Sequence, residues 1–156
     1  MPGRILAEIR QSRPFPSLEA ETAVNLLRTA ETVMRGLAAA VKPRGLSPEQ
    51  YNVLRILRGA GRAGLPCGEI AARMVTHDPD MTRLLDRLEA RRLIARARDT
   101  RDRRVVTTRI QPAGLRLLAG LDGPVEQEGK RLLGHLGRNR LRQLVSLLEA
   151  AREQPR

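Results

Sequence analysis

Arginine dominates the side chains of this chain that could do chemistry, and it is concentrated in one segment. Six arginines and two aspartates lie between Arg96 and Arg109. Guanidinium groups stay charged at all working pH values and form paired hydrogen bonds with phosphate or guanine. Like charges this close repel one another unless a polyanion binds them. The segment therefore predicts a surface that binds phosphates.

Residues suited to catalysis are few. The two histidines, His77 and His135, are far apart in sequence, and Cys67 is the single cysteine. These residues cannot supply an intramolecular disulfide or a multi-cysteine metal site, and two distant histidines do not indicate a metal ion. No dinucleotide-binding glycine motif, phosphate loop, His-Glu-x-x-His or nucleophile elbow occurs. We expect no enzyme activity, no metal and no cofactor.

Cys67 has two interpretations. Near a helix start the helix dipole would stabilise its thiolate, which would suit a peroxide sensor. A lone cysteine is more often a small buried hydrophobic residue, and this second interpretation is the one we favour.

Length and charge narrow the class of protein further. The chain has 156 residues and a formal net charge of +12, which predicts one folding unit with a polyanionic partner. Nucleic acid fits, and so does an anionic membrane surface. Only two of the cationic residues are lysines, a bias that a GC-rich genome would also produce. Residues 1–16 lack the apolar run of a signal peptide, and no apolar stretch approaches the ~20 residues that cross a bilayer. We expect a cytoplasmic protein without a membrane span.

Helical spacing and capping residues define the first half of the chain. Pro14 and Pro16 separate a basic arm from Ser17, which caps a helix that ends before Pro43. Ser47-Pro48-Glu49-Gln50 predicts a capping box at the start of a second helix. A turn at Gly61, Gly64 and Pro66 precedes a short helix around Glu69 to Met74.

The next helix is predicted from Pro79 to Arg92, with Asp78 as its N-cap. Its leucines fall on one face and Arg83 on the other, flanked by Thr82 and Arg87. Strands follow at Ile94 to Arg98 and Val105 to Ile110. Such a hairpin is marginal in water unless it packs on the helices.

The last third of the chain is predicted to be helical again. Gly123-Pro124 indicates a kink, and Gly134 with Gly137 a break before a final helix with Leu141, Leu144 and Leu148 on one stripe. The two terminal helical regions carry more leucine than a small domain can cover. We therefore expect them to pair across a homodimer.

The segment CGEIAARMVTHDPDMTRLLDRLEARRLIARARDTRDRRVVTTRIQPAG resembles, without a gap, the winged helix-turn-helix of MarR-family transcription regulators. The motif covers Ser47 to Gly114, and the outer helices match by order and length only. The resemblance implies a mainly α fold with a small β-hairpin wing and with N- and C-terminal dimerisation helices. Residues 1–16 would form an arm, 17–45 and 115–156 the dimerisation helices, and 46–114 the DNA-binding lobe of one folding unit.

The resemblance also implies a function. The dimer would read a palindromic operator in double-stranded DNA, with the helix from Pro79 to Arg92 in a major groove and the wing in the flanking minor groove. It would be a sequence-specific transcription regulator, a repressor released by a small apolar or phenolic effector. The alternative is a non-specific architectural DNA- or RNA-binding protein, although Phe15 and Tyr51 alone give no stacking platform for single strands. The expected DNA-binding residues are Thr76, His77, Asp80, Thr82, Arg83, Arg87, Arg101, Arg103 and Arg104.

Three of the implied roles have plainer alternatives. Arg83 could lie on a solvated helix face in an ion pair with Asp86. The wing arginines could simply keep a hairpin tip soluble. Asp102 is expected to orient the wing by pairing with an arginine. Tyr51 could border the effector pocket, but a core tyrosine is the favoured interpretation.

The chain departs from the family pattern at several positions. Val75 and Arg92 stand where the family often has glycine, and a left-handed Arg92 would cost about 1 kcal/mol more than glycine. Gln111 replaces a capping threonine. His77 and Asp80 lie near the DNA side, where Asp80 would repel phosphate unless it caps the helix or accepts from a cytosine amino group.

Overall fold

The computed structural model describes residues 3–77 and 80–153 and is mainly helical. Two of the helices begin at the capping signals that the sequence predicts. Ser47 and Gln50 form the predicted capping box, and the Ser17 hydroxyl accepts from the Ala20 backbone N–H. The α-helices are α1 (Arg4–Glu8), α2 (Leu18–Val41), α3 (Pro48–Ala60), α4 (Cys67–Arg73), α5 (Met81–Ala90), α6 (Pro112–Leu133) and α7 (Gly137–Arg152), with 3₁₀ turns at Lys42–Arg44, Gly61–Ala63 and Gly134–Leu136.

The predicted hairpin forms, and a third, short strand extends it to a three-stranded antiparallel sheet. Its strands are β1 (Leu65–Pro66), β2 (Ile94–Arg98) and β3 (Val106–Ile110), in the order β1-β3-β2. The sequence predicts a turn where β1 lies, because β1 is only two residues long and contains proline. An edge strand tolerates proline. Gly64 makes the pairing possible, because its φ is +65° and a Cβ there would collide with the Thr108 carbonyl oxygen.

Two predicted helix starts are corrected by the structure. α4 begins at Cys67, two residues before the predicted start, and no side chain caps it. α5 begins at Met81 with Asp80 as N-cap, because the Asp80 carboxylate accepts from the Arg83 backbone N–H at 3.0 Å. Asp78, the predicted cap, and Pro79 lie outside the described residues.

One apolar core joins the central elements to the terminal helices. Leu54, Leu57, Ile70, Leu85, Leu88 and Ile94 are fully buried in it. Val41 from α2 and Leu118 and Leu121 from α6 belong to the same cluster. The ends of the terminal helices nearest to the lobe are thus anchored in its core.

The terminal helices are less buried farther from this core, and no residue of α7 is buried. Gly36 lets α2 approach α6 closely, since a Cβ there would lie 2.6 Å from Leu132 Cδ1. α6 runs through Pro124 as one helix, and the predicted break at Gly134 is a 3₁₀ turn before α7. The predicted arm contains a helix that the sequence did not indicate, α1, whose Ile5 is buried.

In the residues described, no helix combines the length and the hydropathy that crossing a bilayer requires.

Candidate nucleic-acid interface

Helix α5 is fixed on one side and open on the other. Leu84, Leu85 and Leu88 are buried in the core. Thr82, Arg83 and Arg87 are exposed on the remaining surface of the helix. Because the buried leucines fix the rotation of the helix about its axis, the short hydroxyl and the two guanidinium groups are held toward solvent as a set.

Thr76, His77 and Asp80 lie at the approach to α5. Thr76 and His77 are exposed in the turn between α4 and α5. The turn is tied down by Val75, whose backbone N–H donates to Asn52 Oδ1 at 2.8 Å, and whose side chain is 83% exposed. The carboxylate of Asp80 caps the helix, the first of the two roles considered for it.

The tip of the wing is built by two aspartates that bind main-chain N–H groups. Asp99 Oδ1 accepts from the backbone N–H of Arg101 at 2.6 Å. Asp102 Oδ1 accepts from the backbone N–H of Arg104 at 3.0 Å. Asp102 was expected to hold a guanidinium group. In the structure it forms a local turn instead, as aspartate often does with the residue two positions on.

These turns leave the wing arginines at the surface. Arg101, Arg103 and Arg104 are all exposed between the ends of β2 and β3. Arg98 contributes to the shape of the tip, because its Nη1 donates to the Arg103 carbonyl at 3.1 Å. The three exposed guanidinium groups therefore project from a short loop whose backbone is held by several hydrogen bonds.

Arg96 lies on the same hairpin but has a different environment. Its Nη2 donates to Asp86 Oδ1 at 2.5 Å and to Glu89 Oε2 at 2.6 Å. The hydrogen bonds that Arg96 donates to Glu89 hold the pKa of Glu89 below its usual range. Asp86, the partner that the plainer alternative gave to Arg83, is bound to the wing strand instead, because the hairpin folds back over α5. Sequence reasoning missed this contact, because the partners lie on a helix and on the following strand, and no periodicity within one element relates them.

The C-terminal end of α5 is also connected to another element. Arg91 donates from Nη1 to the Gly45 carbonyl at 2.7 Å and from Nη2 to the Arg44 carbonyl at 3.0 Å. The next residue, Arg92, has a φ of +58°. The left-handed conformation predicted at Arg92 is confirmed, and the chain can turn there from α5 into β2.

Helix α3 connects the lobe to α6 and carries Tyr51. The ring of Tyr51 is 5% exposed within the core, and the Arg55 guanidinium carbon lies 5.8 Å from its centroid. The core interpretation of Tyr51 is the one that the structure matches. Arg58 forms two hydrogen bonds with the Asp122 carboxylate, at 2.9 and 3.0 Å, which lower the pKa of Asp122.

The remaining candidate groups have simple environments. Cys67 is half-buried and packs against the core as the first residue of α4. Gln111 precedes α6 without a side-chain cap, and its backbone N–H donates to the Leu93 carbonyl. Over residues 3–77 and 80–153, no three His, Cys, Asp or Glu side chains are grouped so as to hold a metal ion.

The arrangement of these elements is shared with solved structures. A MarR transcription factor from Planctomyces limnophilus is 40% identical, with a TM-score of 0.68 over 87% of this chain and 98% of that chain. A MarR-family transcriptional regulator from Rhodococcus sp. RHA1 is 25% identical, with a TM-score of 0.75 over 88% of this chain and 96% of its own.

The sequence comparisons agree. The repressor MdtR of Bacillus subtilis is 31% identical over 97 residues, which are 62% of this chain and 61% of MdtR, so the chain spans less than two thirds of that relative's length. The model of the MarR family matches residues 46–106, from the end of the 3₁₀ turn after α2 to the first residue of β3. Because the Planctomyces limnophilus protein is 40% identical and is covered over almost its whole length, the chain belongs to the MarR family of winged helix-turn-helix transcription regulators.

Proposed function

We propose that this chain is a homodimeric repressor that binds a palindromic operator in double-stranded DNA and is released by a small apolar or phenolic effector. One observation carries the proposal. A helix locked by buried leucines exposes Thr82, Arg83 and Arg87 beside a wing tip that exposes three arginines. We further propose that it acts in the cytoplasm. Catalysis forms no part of the proposal, since MarR-family regulators are generally not enzymes.

The two exposed groups suit the two grooves of DNA. A rigid helix fits the major groove, where a guanidinium fork matches guanine and a short hydroxyl can donate to or accept from the edges of several bases. We assign this role to Arg83, with Thr82 and Arg87 beside it. A thin loop with arginines fits a narrow minor groove and its phosphates. We assign the minor-groove contacts to Arg101, Arg103 and Arg104. Thr76 and His77 would lie near the sugar-phosphate backbone of the DNA.

Apolar surface on the terminal helices supports the homodimer. Leu18 and Leu27 on α2 and Leu147 on α7 are each more than two thirds exposed. A cleft of about 420 Å³ on α7 is lined by Leu141 and Val145, among others. Exposed leucine on paired helices is costly in water, and a second copy would cover it.

Two connections give a route from an effector to the DNA. Arg91 ties the end of α5 to the carbonyls that follow α2, and Arg58 ties α3 to Asp122 on α6. A ligand that changes the angle between α2 and α6 would therefore shift the recognition helix. Repression is proposed because the curated relative MdtR is named a transcriptional repressor.

The proposal is tested with the full chain and random-sequence DNA. Repeated selection should enrich a palindrome whose half-site centres are about one helical turn, ~10 base pairs, apart. Footprinting should show protection by one dimer, extended outward by the wings. Equal affinity for the enriched site and for random competitor DNA would refute sequence-specific regulation and favour the architectural alternative. A preference for single-stranded RNA would also refute it.

A further inference from the structure

Arg96 forms the densest set of polar contacts between the wing and the recognition helix. Its Nε donates to Glu89 Oε2 at 3.0 Å, in addition to the two bonds from Nη2. Its backbone N–H donates to the other oxygen of Glu89, Oε1, at 2.9 Å. The carboxylate of Glu89 thus receives both the side chain and the main chain of one residue on β2.

These contacts lie midway along the strands of the wing. Arg96 is opposite Thr108 in the sheet, and β2 and β3 continue beyond that pair to Arg98 and Val106, where the tip begins. The covalent link between α5 and β2 is a short turn around the left-handed Arg92. The buried Ile94 and the pairing of β3 with β1 hold the inner end of the hairpin. The Arg96 contacts lie at the third residue of β2, where they oppose a tilt of the outer part of the hairpin relative to α5.

Burial and geometry distinguish this cluster from the exposed pair Arg35–Glu31 on α2. The Arg96 side chain is 23% exposed and that of Glu89 37%, whereas Arg35 and Glu31 are 69% and 55% exposed. Exposed pairs contribute little because water screens them and their side chains move. A forked guanidinium with two carboxylates and a main-chain contact has one preferred geometry.

The charges of this cluster also bear on its role. The Arg96 guanidinium faces two carboxylates, so it adds no net cation for DNA. In turn it neutralises one of the two negative charges that α5 would otherwise carry near phosphate. Arg96 is therefore unlike the exposed wing arginines, although it belongs to the same run in the sequence.

We infer that Arg96 is a positioning residue, which through Glu89 and Asp86 fixes the angle between wing and recognition helix so that both occupy adjacent grooves at once. This inference rests on the proposed function. Loss of Arg96 should leave the bases read by Arg83 unchanged and should remove the contribution of the wing. The wing reads the flanks through groove width, which is narrower in A·T tracts.

The test uses the full chain, the enriched operator, and operators of equal length with A·T-rich or G·C-rich flanks. We expect the wild type to prefer the A·T flanks about tenfold. Arg96→Gln should reduce that preference to less than about twofold, while a central base change still costs about 5- to 150-fold. Arg109→Gln is the matched control, since Arg109 lies on the same sheet and binds the Arg62 carbonyl instead of α5. It should keep the wild-type flank preference.

The outcomes separate the inference from the proposed function. A wild type without operator preference refutes the function itself. Two outcomes overturn the positioning role alone when the wild type does prefer its operator. In the first, Arg96→Gln keeps the wild-type ratio of affinities for A·T-flanked and G·C-flanked operators. In the second, that ratio is already near one in the wild type. A merely destabilising change would lower binding to every DNA equally and leave the ratio unmoved, which also overturns it.

Glu89→Gln provides a second variant, because it keeps the shape of the side chain and removes only its charge. If both residues act through one contact, the double variant should lose no more flank preference than Arg96→Gln. Additive losses would contradict the inference. Should Arg96→Gln fail to fold, as thermal unfolding would reveal, the flank ratio of Glu89→Gln decides: a fall supports the positioning role and an unchanged ratio overturns it.

Discussion

The winged lobe, residues 46–114, and the terminal helices bury their apolar side chains to different degrees. The lobe buries its leucines within one chain, and α5 is capped, packed and connected by arginine contacts. No residue of α7 is buried, and α2 and α7 expose large hydrophobic side chains. The lobe is therefore packed within a single chain, whereas the terminal helices leave apolar surface that the proposed homodimer would cover. The two regions should therefore respond differently to changes of solvent and sequence.

Salt should separate the two regions most strongly. If a dimer neutralises about 6 to 10 phosphates, its operator affinity should fall by about 10³ to 10⁵ between 50 and 200 mM salt. Apolar contacts are not weakened by salt in this range, so the dimer should persist. A salt titration of operator binding, with sedimentation of the free protein at each concentration, measures both. Affinity nearly independent of salt, or dissociation of the protein at high salt, would contradict the assignment of forces.

A charge placed on the apolar face of α2 should separate the copies. Leu27 is 72% exposed, and burying a leucine stabilises by about 1.5–3 kcal/mol. Both copies lose this in Leu27→Asp, so the dimer dissociation constant should rise about 100-fold or more. Sedimentation or light scattering at micromolar concentration measures the change.

Val75→Asp is the matched control, because Val75 is an equally exposed hydrophobic residue that lies in the lobe. It should leave the sedimentation unchanged. A monomeric wild type, or a Leu27→Asp variant that stays dimeric, would remove this face from the interface.

Within the lobe, the recognition helix and the wing should divide their tasks. Arg83→Ala should relax sequence preference by about 1–3 kcal/mol at one base pair of each half-site. Arg104→Ala should weaken binding to all sequences more evenly, since a wing arginine contacts phosphates and groove walls. Titrations on operators with single-base changes distinguish the two. An equal loss on operator and random DNA for Arg83→Ala would show that it contacts phosphate only.

The same division explains what the sequence could predict. Helices with local signals, such as the Ser47 capping box and the leucine stripe of α5, were predicted within a few residues because neighbours in sequence determine them. The left-handed Arg92 also followed from its place after the helix. These features need no tertiary information.

What the sequence could not predict depends on distant partners. β1 is recognisable only by its pairing with β3, and α1 only by the burial of Ile5. In the sequence Arg96 is one of six arginines in the wing segment, and only the folded structure shows that it binds Glu89. Asp102 binds the Arg104 backbone N–H and not a guanidinium group. The sequence could not predict this, because the geometry of the turn decides which of several nearby donors the carboxylate reaches.

The smallest expected effect concerns the junction between α5 and the wing. Arg92 is exposed with a φ of +58°, a conformation that costs an L residue about 1 kcal/mol relative to glycine. Arg92→Gly should therefore raise the free energy of unfolding by about 0.5–1 kcal/mol, the gain being reduced by the greater freedom of glycine in the unfolded chain. Denaturant unfolding measures this difference. Arg91→Gly is the control, because Arg91 has a φ of −84° and its guanidinium binds two carbonyls, so this variant should lose stability. If Arg92→Gly were less stable than the wild type, the Arg92 side chain would have to form contacts that stabilise the lobe by more than the left-handed backbone costs.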